Sequence, residues 1–283
     1  MKIIKSGDIV LKGKHNKPIV VDYRYAENKD KMPLILFIHG FKGFKDWGYF
    51  NMMSDYYVKN GFVFVKMNFS HNGTTPDSPT DYADLEAFGN NNFTKELDDI
   101  EVVLDFICSN EFELFNAIDY NRLSIKGHSR GGGTALLKAS EDSRIKNVVT
   151  LAGINNFRNN ASEETLALWK KEGVQYVFNT RTKQNMPLYY QLVEDVLNNE
   201  SRLDIPNAVK ALKKPFLILH GSDDETLPVA MAHSLHKWNP DSKLVIIEKA
   251  NHTFGGAHPY VEDRLPEHAL QAIEHTLEFL KGR

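Results

Sequence analysis

A serine enclosed by glycines lies near the middle of the chain, in the pentapeptide GHSRG at residues 127–131. An apolar run ending at Ile125 predicts a strand before it, and residues 134–139 predict a helix after it. Flanking glycines allow the sharp strand-to-helix turn that exposes a serine hydroxyl, because side chains there would obstruct the turn. Ser129 is therefore a candidate nucleophile toward a carbonyl carbon, and this context favours it over a glycine-rich turn without chemistry.

A nucleophilic serine needs a base, and the base needs a carboxylate that orients it. Segment 220–228 (HGSDDETLP) follows a predicted buried strand and offers two carboxylates, Asp223 and Asp224. Each of them could instead be a turn residue or the N-cap of a helix, so the choice between them stays open at this point. His252 follows the last predicted strand, and this position favours it as the base over His258.

Acyl transfer to a serine places negative charge on the carbonyl oxygen, and two backbone N–H groups must already point at it. One N–H is expected from Arg130, the residue after the nucleophile. The other is expected from segment 39–43 (HGFKG), which follows the first predicted buried strand, and Phe41 is the simplest candidate. The helix after Ser129 would also direct its N-terminus at the site and favour negative charge there.

These turns need a common framework, and the apolar pattern of the chain predicts one. Six short apolar runs predict strands buried on both faces: 34–38, 62–65, 123–125, 145–151, 216–219 and 244–247. Helical patterns alternate with them, for example over residues 93–107 and 270–280. The predicted fold class is α/β, with a mostly parallel central sheet, helices on both faces and an antiparallel hairpin at 8–25. Ligands of such sheets bind at the carboxyl ends of the strands, where the turns fall.

Composition narrows the class of protein. The 283 residues are 42% hydrophobic and 25% charged, as in an ordinary globular domain. Lys and Arg number 34 against 37 Asp and Glu, and this balance argues against a nucleic-acid or membrane partner. The one cysteine, Cys108, cannot form an intrachain disulfide, and no apolar run approaches the roughly 18 residues of a membrane span. A cytoplasmic protein is therefore expected.

Together these motifs resemble the α/β-hydrolase superfamily. The resemblance is nearest to the branch of dienelactone hydrolases and cinnamoyl or feruloyl esterases, which overlaps sequences named serine aminopeptidases. The similar stretches span most of the chain in the expected order: HGFKGFKDW (39–47), NFSHNG (68–73), GHSRGG (127–132), HGSDDETLP (220–228) and NHTF (251–254). The family implies an α/β-hydrolase fold and a Ser-Asp-His triad in that chain order, without a cofactor. No metal site is expected either.

Carried over onto the matching positions, the family pattern implies Ser129 as nucleophile, His252 as base and the second aspartate of the pair, Asp224, as acid. It implies the backbone N–H groups of Phe41 and Arg130 as the oxyanion donors. Arg130 departs from the branch, which often has glutamine or methionine at this position. The triad is not put in doubt, because only the N–H of this residue is needed, but the long cationic side chain could alter the pocket.

The predicted activity is hydrolysis of a carboxylic ester through an acyl-enzyme intermediate. The same triad could instead cleave a thioester or the amide of a short peptide. A protein of a different class, a non-catalytic ligand receptor, is also compatible with this fold. The expected partner is a small-molecule ester. The sequence leaves the oligomeric state open, with a homodimer as one option.

Two segments interrupt the alternation of strands and helices. Residues 71–92 form a polar loop of a length that is more often functional or mobile than a plain connection. Residues 154–206 lie between two core strands and carry helical patterns, which predicts a helical cap insertion within one domain, 1–283. We expect the cap insertion to cover the strand ends and help select the substrate. The residues expected to contact substrate are His39, Gly40, His128, Trp169 and Tyr189.

Overall fold

Strands and helices alternate along most of the chain. The computed structural model describes residues 2–157 and 161–282. Its strands are β1 (Ile4–Lys5), β2 (Ile9–Lys12), β3 (Pro18–Tyr25), β4 (Met32–Ile38), β5 (Val63–Asn68), β6 (Ile118–His128), β7 (Asn147–Leu151), β8 (Val174–Asn179), β9 (Gln184–Tyr189), β10 (Phe216–Gly221) and β11 (Lys243–Ile247). Its helices are α1 (Phe50–Lys59), α2 (Leu85–Gly89), α3 (Phe93–Ile107), α4 (Arg130–Glu141), α5 (Glu163–Glu172), α6 (Gln191–Asn198), α7 (Ile205–Ala211), α8 (Ala230–Trp238) and α9 (Glu267–Lys281).

The main sheet has the strand order β1-β3-β5-β4-β6-β7-β10-β11, with β2 also paired to β3. Each neighbouring pair from β5 to β11 is parallel. Strand β3 is antiparallel to β1, β2 and β5. Parallel neighbours need crossover connections, and the helices supply them. The predicted mostly parallel sheet is confirmed, as is the antiparallel hairpin expected within residues 8–25.

Alternate side chains of the central strands face two different helix layers. In β4, Leu34, Leu36 and Ile38 pack with side chains of α3, α4, α7 and α8. Ile35 and Phe37 pack with side chains of α1 and α9. Successive side chains of a strand point to opposite faces, so a strand covered on both faces is apolar at every position. The continuous apolar runs of the sequence follow from this two-sided burial. Within the two described ranges, the helices are too short or too polar to cross a membrane.

The cap insertion contains a β-hairpin as well as helices. Strands β8 and β9 pair antiparallel between α5 and α6, with Val174 opposite Tyr189. Tyr176 and Phe178 both lie exposed on β8, two residues apart, which is the period of a strand. The helical prediction holds for α5 and α6 and misses the hairpin between them. A short strand pattern of this kind is easily overlooked beside longer helical stripes.

The ends of the cap insertion lie close to the core. The N–H of Ile154, its first residue, donates to the Ser129 carbonyl oxygen at 3.2 Å. Ile205, near its last residue, begins α7 and is fully buried in the core. The predicted boundary at residue 206 therefore falls within the first turn of α7. Residues 158–160 of the predicted range lie outside the described residues.

The hairpin of the cap insertion packs on the polar segment 71–92. The Tyr189 ring lies against Gly89, where an added Cβ would come within 2.8 Å of the ring. The guanidinium of Arg181 pairs with Asp81 at 2.7 Å. The long polar segment is thus held between the core and the hairpin, and it contains α2 rather than being a loop throughout.

Candidate active site

Ser129 occupies the turn between β6 and α4, and its backbone has a φ of 56° and a ψ of −123°. Few residues with a side chain adopt a positive φ, so the surrounding structure must hold this conformation in place. A Cβ on Gly127 would lie 2.1 Å from the Gly131 carbonyl oxygen, and one on Gly131 would lie 2.4 Å from that of His39. Contact with neighbouring backbone therefore requires glycine on both sides of the serine.

Three side chains from three separate turns form one hydrogen-bonded line. His252 Nε2 lies 3.0 Å from Ser129 Oγ, and His252 Nδ1 lies 2.8 Å from Asp224 Oδ2. A carboxylate can only accept, so Nδ1 carries the proton and Nε2 is left to accept the serine proton. The arrangement can remove a proton from the hydroxyl and later return it to a leaving group.

Asp223 and His258, the alternatives to Asp224 and His252, make other hydrogen bonds. Asp223 is exposed, and its carboxylate accepts the Ser222 hydroxyl at 2.8 Å. His258 Nδ1 accepts the Gly48 N–H at 2.9 Å. The structure therefore brings Asp224, and not Asp223, into contact with His252.

The Asp224 carboxylate is buried and well supplied with donors. Besides His252, it is approached by His220 Nε2 at 3.2 Å and by the N–H groups of Thr226 at 2.9 Å and Leu227 at 2.8 Å. Burial acts to raise the pKa of this carboxyl, but the hydrogen bonds from His220 and His252 hold the pKa well below its usual range. Asp224 is thus ionised near neutral pH. His220 was not predicted, although its place at the end of a buried strand was a signal.

His128 contacts the backbone of His252. Its Nε2 lies 3.0 Å from the His252 carbonyl oxygen. Burial lowers the pKa of His128 to about 3, so the ring is neutral near pH 7 and can donate one proton to that oxygen. The structure gives His128 a contact with the backbone of His252, and its substrate contact stays a prediction.

The β4–α1 loop (residues 39–49) passes directly over the serine. A Cβ on Gly40 would lie 2.9 Å from Ser129 Cβ and 3.5 Å from its Oγ, so only glycine fits there. Phe41 follows Gly40, and Arg130 follows Ser129. Gly40 and Ser129 are in contact, and the two residues expected to supply the oxyanion donors follow them directly in sequence. Phe41 is 37% exposed, so an aromatic residue is accessible in the loop that touches Ser129.

The Arg130 side chain is held sideways against α3. One of its guanidinium nitrogens lies 2.6 Å from Glu96 Oε1. The guanidinium also lies over the rings of Phe41, at 5.4 Å, and Phe93, at 4.6 Å. The departure from the family pattern at this position is thus accommodated by a buried ion pair between α4 and α3.

The His39 side chain, at the start of the β4–α1 loop, is buried under the rest of the loop. It is 3% exposed, with Nδ1 2.9 Å from the Gly40 carbonyl oxygen and Nε2 3.4 Å from Asn72 Nδ2. His39 is therefore a support of the loop, which corrects the expected substrate contact. Asn72 was not assigned a role from the sequence, although it lies in the NFSHNG stretch.

Trp169 and Tyr189, the two cap residues expected to bind substrate, both contact other parts of the protein. Trp169 is 2% exposed, and its indole N–H donates to the Leu188 carbonyl oxygen at 2.8 Å. It therefore packs inside the cap insertion, and the expected substrate contact of Trp169 is wrong. Tyr189 donates its hydroxyl to Glu86 and joins the hairpin to α2.

Two other features bear on what the site could hold. Among residues 2–157 and 161–282, no cluster of three or more His, Cys, Asp or Glu side chains could hold a metal ion. An apolar groove of about 970 Å³ lies between α6, α7 and residues 155–157. The described residues that line it include Phe93, a neighbour of Arg130, and do not include Ser129.

Comparison with known proteins identifies the family. The family model BD-FAE matches residues 22–239, which is more than half of the chain. The chain belongs to the BD-FAE family. A search of curated proteins finds no match.

Solved structures similar to this BD-FAE protein share its fold over nearly the whole chain. Est1E from Butyrivibrio proteoclasticus, with ferulic acid bound, has a TM-score of 0.73 at 18% identity and covers 97% of this chain and 98% of its own. A protein described as a dienelactone hydrolase from Klebsiella pneumoniae has a TM-score of 0.64 at 15% identity, with both chains fully covered. A puromycin-hydrolysing peptidase from Mycobacterium tuberculosis has a TM-score of 0.63 at 15% identity, covering 98% of this chain and 39% of its own. The resemblance to α/β-hydrolases of this branch, expected from the motifs, is confirmed.

Proposed function

We propose that this BD-FAE protein is a serine hydrolase of carboxylic esters, with Ser129 as nucleophile, His252 as base and Asp224 as acid. One observation carries the proposal: His252 bridges Ser129 Oγ at 3.0 Å and a buried Asp224 carboxylate at 2.8 Å. This is the geometry in which an imidazole can take the serine proton while the carboxylate stabilises the imidazolium.

The reaction runs in two half-reactions. Ser129 Oγ attacks the ester carbonyl as its proton moves to His252 Nε2. The tetrahedral intermediate collapses, and the imidazolium gives the proton to the leaving alcohol. Water then loses a proton to the same nitrogen and attacks the acyl-enzyme. The second tetrahedral intermediate collapses, the imidazolium returns the proton to Ser129 Oγ, and the acid is released.

The oxyanion of both tetrahedral intermediates is stabilised by the backbone N–H groups of Phe41 and Arg130. The contact between Gly40 and Ser129 supports this, because it brings the β4–α1 loop against the nucleophile. Arg130 also begins α4, and the N-terminus of a helix favours a developing negative charge. Preorganised donors of this kind contribute about 10²–10³-fold to kcat each.

The exposed Phe41 ring favours esters with an apolar or aromatic acyl group. The ferulic acid bound to the structurally similar Est1E makes an ester of an aromatic acid the first substrate to test. Thioesters and short-peptide amides react by the same steps and belong in the same panel.

A fluorophosphonate probe and a chromogenic ester panel test the proposal. Wild-type protein should be labelled at Ser129 and should hydrolyse short p-nitrophenyl esters or methyl ferulate. Ser129→Ala should not be labelled and should lose on the order of a million-fold in kcat while it remains folded by circular dichroism. Wild-type protein that is neither labelled nor active would overturn the proposal in favour of a ligand receptor.

A further inference from the structure

The Gly40 carbonyl oxygen, in the β4–α1 loop, accepts two hydrogen bonds. The Gly43 N–H donates to it at 3.0 Å and closes a four-residue turn, and His39 Nδ1 lies 2.9 Å from the same oxygen. A peptide unit is planar and trans, so its carbonyl and its N–H point in opposite directions. Holding the Gly40 oxygen therefore sets the direction of the Phe41 N–H, which belongs to the same peptide unit.

The hydrogen bond to Gly40 also favours one tautomer of His39. A carbonyl oxygen can only accept, so Nδ1 carries the proton. Burial lowers the pKa of His39 to about 4, and the ring is neutral at pH 7. In a neutral ring Nε2 then has no proton and needs a donor. The ring is buried, so the donor has to come from the protein.

Asn72 supplies that donor. Its Nδ2 lies 3.4 Å from His39 Nε2 and donates to the Gly43 carbonyl oxygen at 3.3 Å. Its Oδ1 accepts from the N–H of Thr74 at 3.1 Å and from the hydroxyl of Thr74 at 2.8 Å. These two bonds orient the amide, so that nitrogen and not oxygen faces His39. Asn72 is 5% exposed, and water cannot readily replace it.

We propose that Asn72 is a positioning residue for the Phe41 N–H: through His39 and the Gly43 carbonyl it holds the turn that aims this donor at the oxyanion. The inference rests on the proposed esterase function. A preorganised donor needs no reorientation as charge develops, whereas a mobile one does. Loss of Asn72 should therefore slow the chemical step more than it weakens substrate binding.

Asn72→Leu keeps the approximate side-chain volume and removes every hydrogen bond of the amide. We expect kcat to fall by about 10- to 50-fold, less than the roughly 10²–10³-fold cost of removing a whole oxyanion donor. KM should change by less than about twofold, because the lost interaction acts in the transition state. The affinity for an alkyl boronic acid, whose serine adduct mimics the tetrahedral intermediate, should fall in parallel with kcat.

A pair of His39 variants separates the hydrogen bond from packing. His39→Asn places an amide nitrogen where Nδ1 lies, so it can still donate to Gly40 although it loses the contact with Asn72, and kcat should fall less than in His39→Leu. His39→Leu cannot donate and should lose at least as much kcat as Asn72→Leu. Equal kcat values for the two His39 variants would contradict the proposal.

Asn239 provides a control for a merely structural effect. It is 8% exposed and donates to the carbonyl oxygens of Val209 at 3.2 Å and Leu212 at 3.0 Å. Asn239→Leu should lower Tm and leave kcat and boronate affinity unchanged. If Asn72→Leu behaves in the same way, the inference is overturned.

A readout without catalysis distinguishes failure of the inference from failure of the proposed function. The ¹⁵N shifts of His39 should report a neutral ring protonated at Nδ1 in wild type and a mixture of tautomers in Asn72→Leu. A wild-type ring protonated at Nε2 would overturn the inference whether or not the protein is an esterase. Wild-type protein without labelling or turnover would overturn the proposed function, and the ¹⁵N shifts would still decide whether Asn72 controls the His39 tautomer.

Discussion

At the scale of single residues, Ser129 combines the proposed chemistry with an unfavourable backbone conformation, a φ of 56°. Ser129→Gly and Ser129→Ala both lack the hydroxyl, but only glycine adopts this φ without strain. We expect the unfolding free energy of Ser129→Gly to exceed that of Ser129→Ala by about 1 kcal/mol. Glycine relieves roughly 1–3 kcal/mol of backbone strain in the folded protein, and its greater freedom in the unfolded chain offsets part of this gain. Urea denaturation of both variants measures the difference. An alanine variant of equal or greater stability would show that the conformation is not strained.

Asp224 offers a second test at the same scale. Asp224→Asn allows an amide nitrogen to face His252 Nδ1, which then favours the tautomer with its proton on Nε2 and cannot accept from Ser129. By analogy with other triads, kcat should fall by about 10⁴-fold with little change in fold. The adjacent, exposed Asp223 is the matched control, and Asp223→Asn should retain wild-type kcat. Equal effects of the two changes in a steady-state ester assay would refute the assignment.

The predicted nucleophile and base follow from local motifs, the choice of Asp224 over Asp223 follows from the family resemblance, and the three side chains meet in the structure. The supporting residues could not be found in that way. His39 contacts Asn72, and His128 contacts the His252 backbone, through partners that the fold brings together from distant parts of the chain. A histidine beside a motif looks the same in sequence whether it faces a substrate or supports a turn. Trp169 was misassigned for a related reason, since an aromatic residue in an insertion can equally form its internal core.

At the scale of elements, β6 carries a lysine into the core. Lys126 Nζ is buried and donates to the Tyr57 hydroxyl at 2.6 Å and to Thr276 Oγ1 at 3.1 Å. Burial lowers the pKa of Lys126 to about 7. The cost of burying the charged form is therefore fully present below pH 7 and is relieved as pH rises toward the unfolded pKa of about 10.4.

The unfolding free energy of wild type should thus rise, relative to Lys126→Met, by about 1 kcal/mol per pH unit between pH 7 and 9. In this window the unfolded chain binds one proton more than the folded protein does at this position. Urea denaturation of both proteins at three pH values measures the slope. Parallel pH dependence of the two proteins would mean that Lys126 keeps its proton when folded.

The elements differ in how far the sequence predicts them. Strands β4 and β10 are apolar at nearly every position because helices cover both faces, and such runs are distinctive. The β8–β9 hairpin has no such cover, and exposed Tyr176 and Phe178 alternate with less exposed neighbours over one short strand. Its position depends on the contact of Tyr189 with Gly89, a tertiary contact that no local pattern reveals.

At the scale of the whole molecule, the cap insertion reaches the proposed site through an aromatic cluster. Met186 of the hairpin is buried with Phe44, Tyr82 and Phe88, and the Phe88 ring lies 5.7 Å from that of Phe41. Met186→Ala should loosen this contact and change the ratio of kcat/KM between short and aromatic acyl groups by about 3- to 10-fold, at the lower end of typical pocket effects. Fluorophosphonate labelling of Ser129 should persist.

Met32 provides the matched control for Met186. It is similarly buried but lies at the start of β4, at the opposite end of the strand from the β4–α1 loop. Met32→Ala should lose about 2–5 kcal/mol of stability, as large-to-small core changes do, without altering the substrate ratio. Competition assays with paired esters compare the two variants. An unchanged ratio in Met186→Ala would disconnect the cap insertion from specificity.

The order of strands has a consequence for how the protein is made. The turn after β11 carries His252, which follows Ser129 by 123 residues, and β11 is the last strand at its edge of the sheet. Ribosomes synthesise chains from the N-terminus, so the β4–α1 loop and the turn that carries Ser129 emerge long before this strand. A nascent chain therefore lacks the group that would activate its serine. In the proposed mechanism the triad is completed only when the final strand docks, so unfinished chains would not hydrolyse esters.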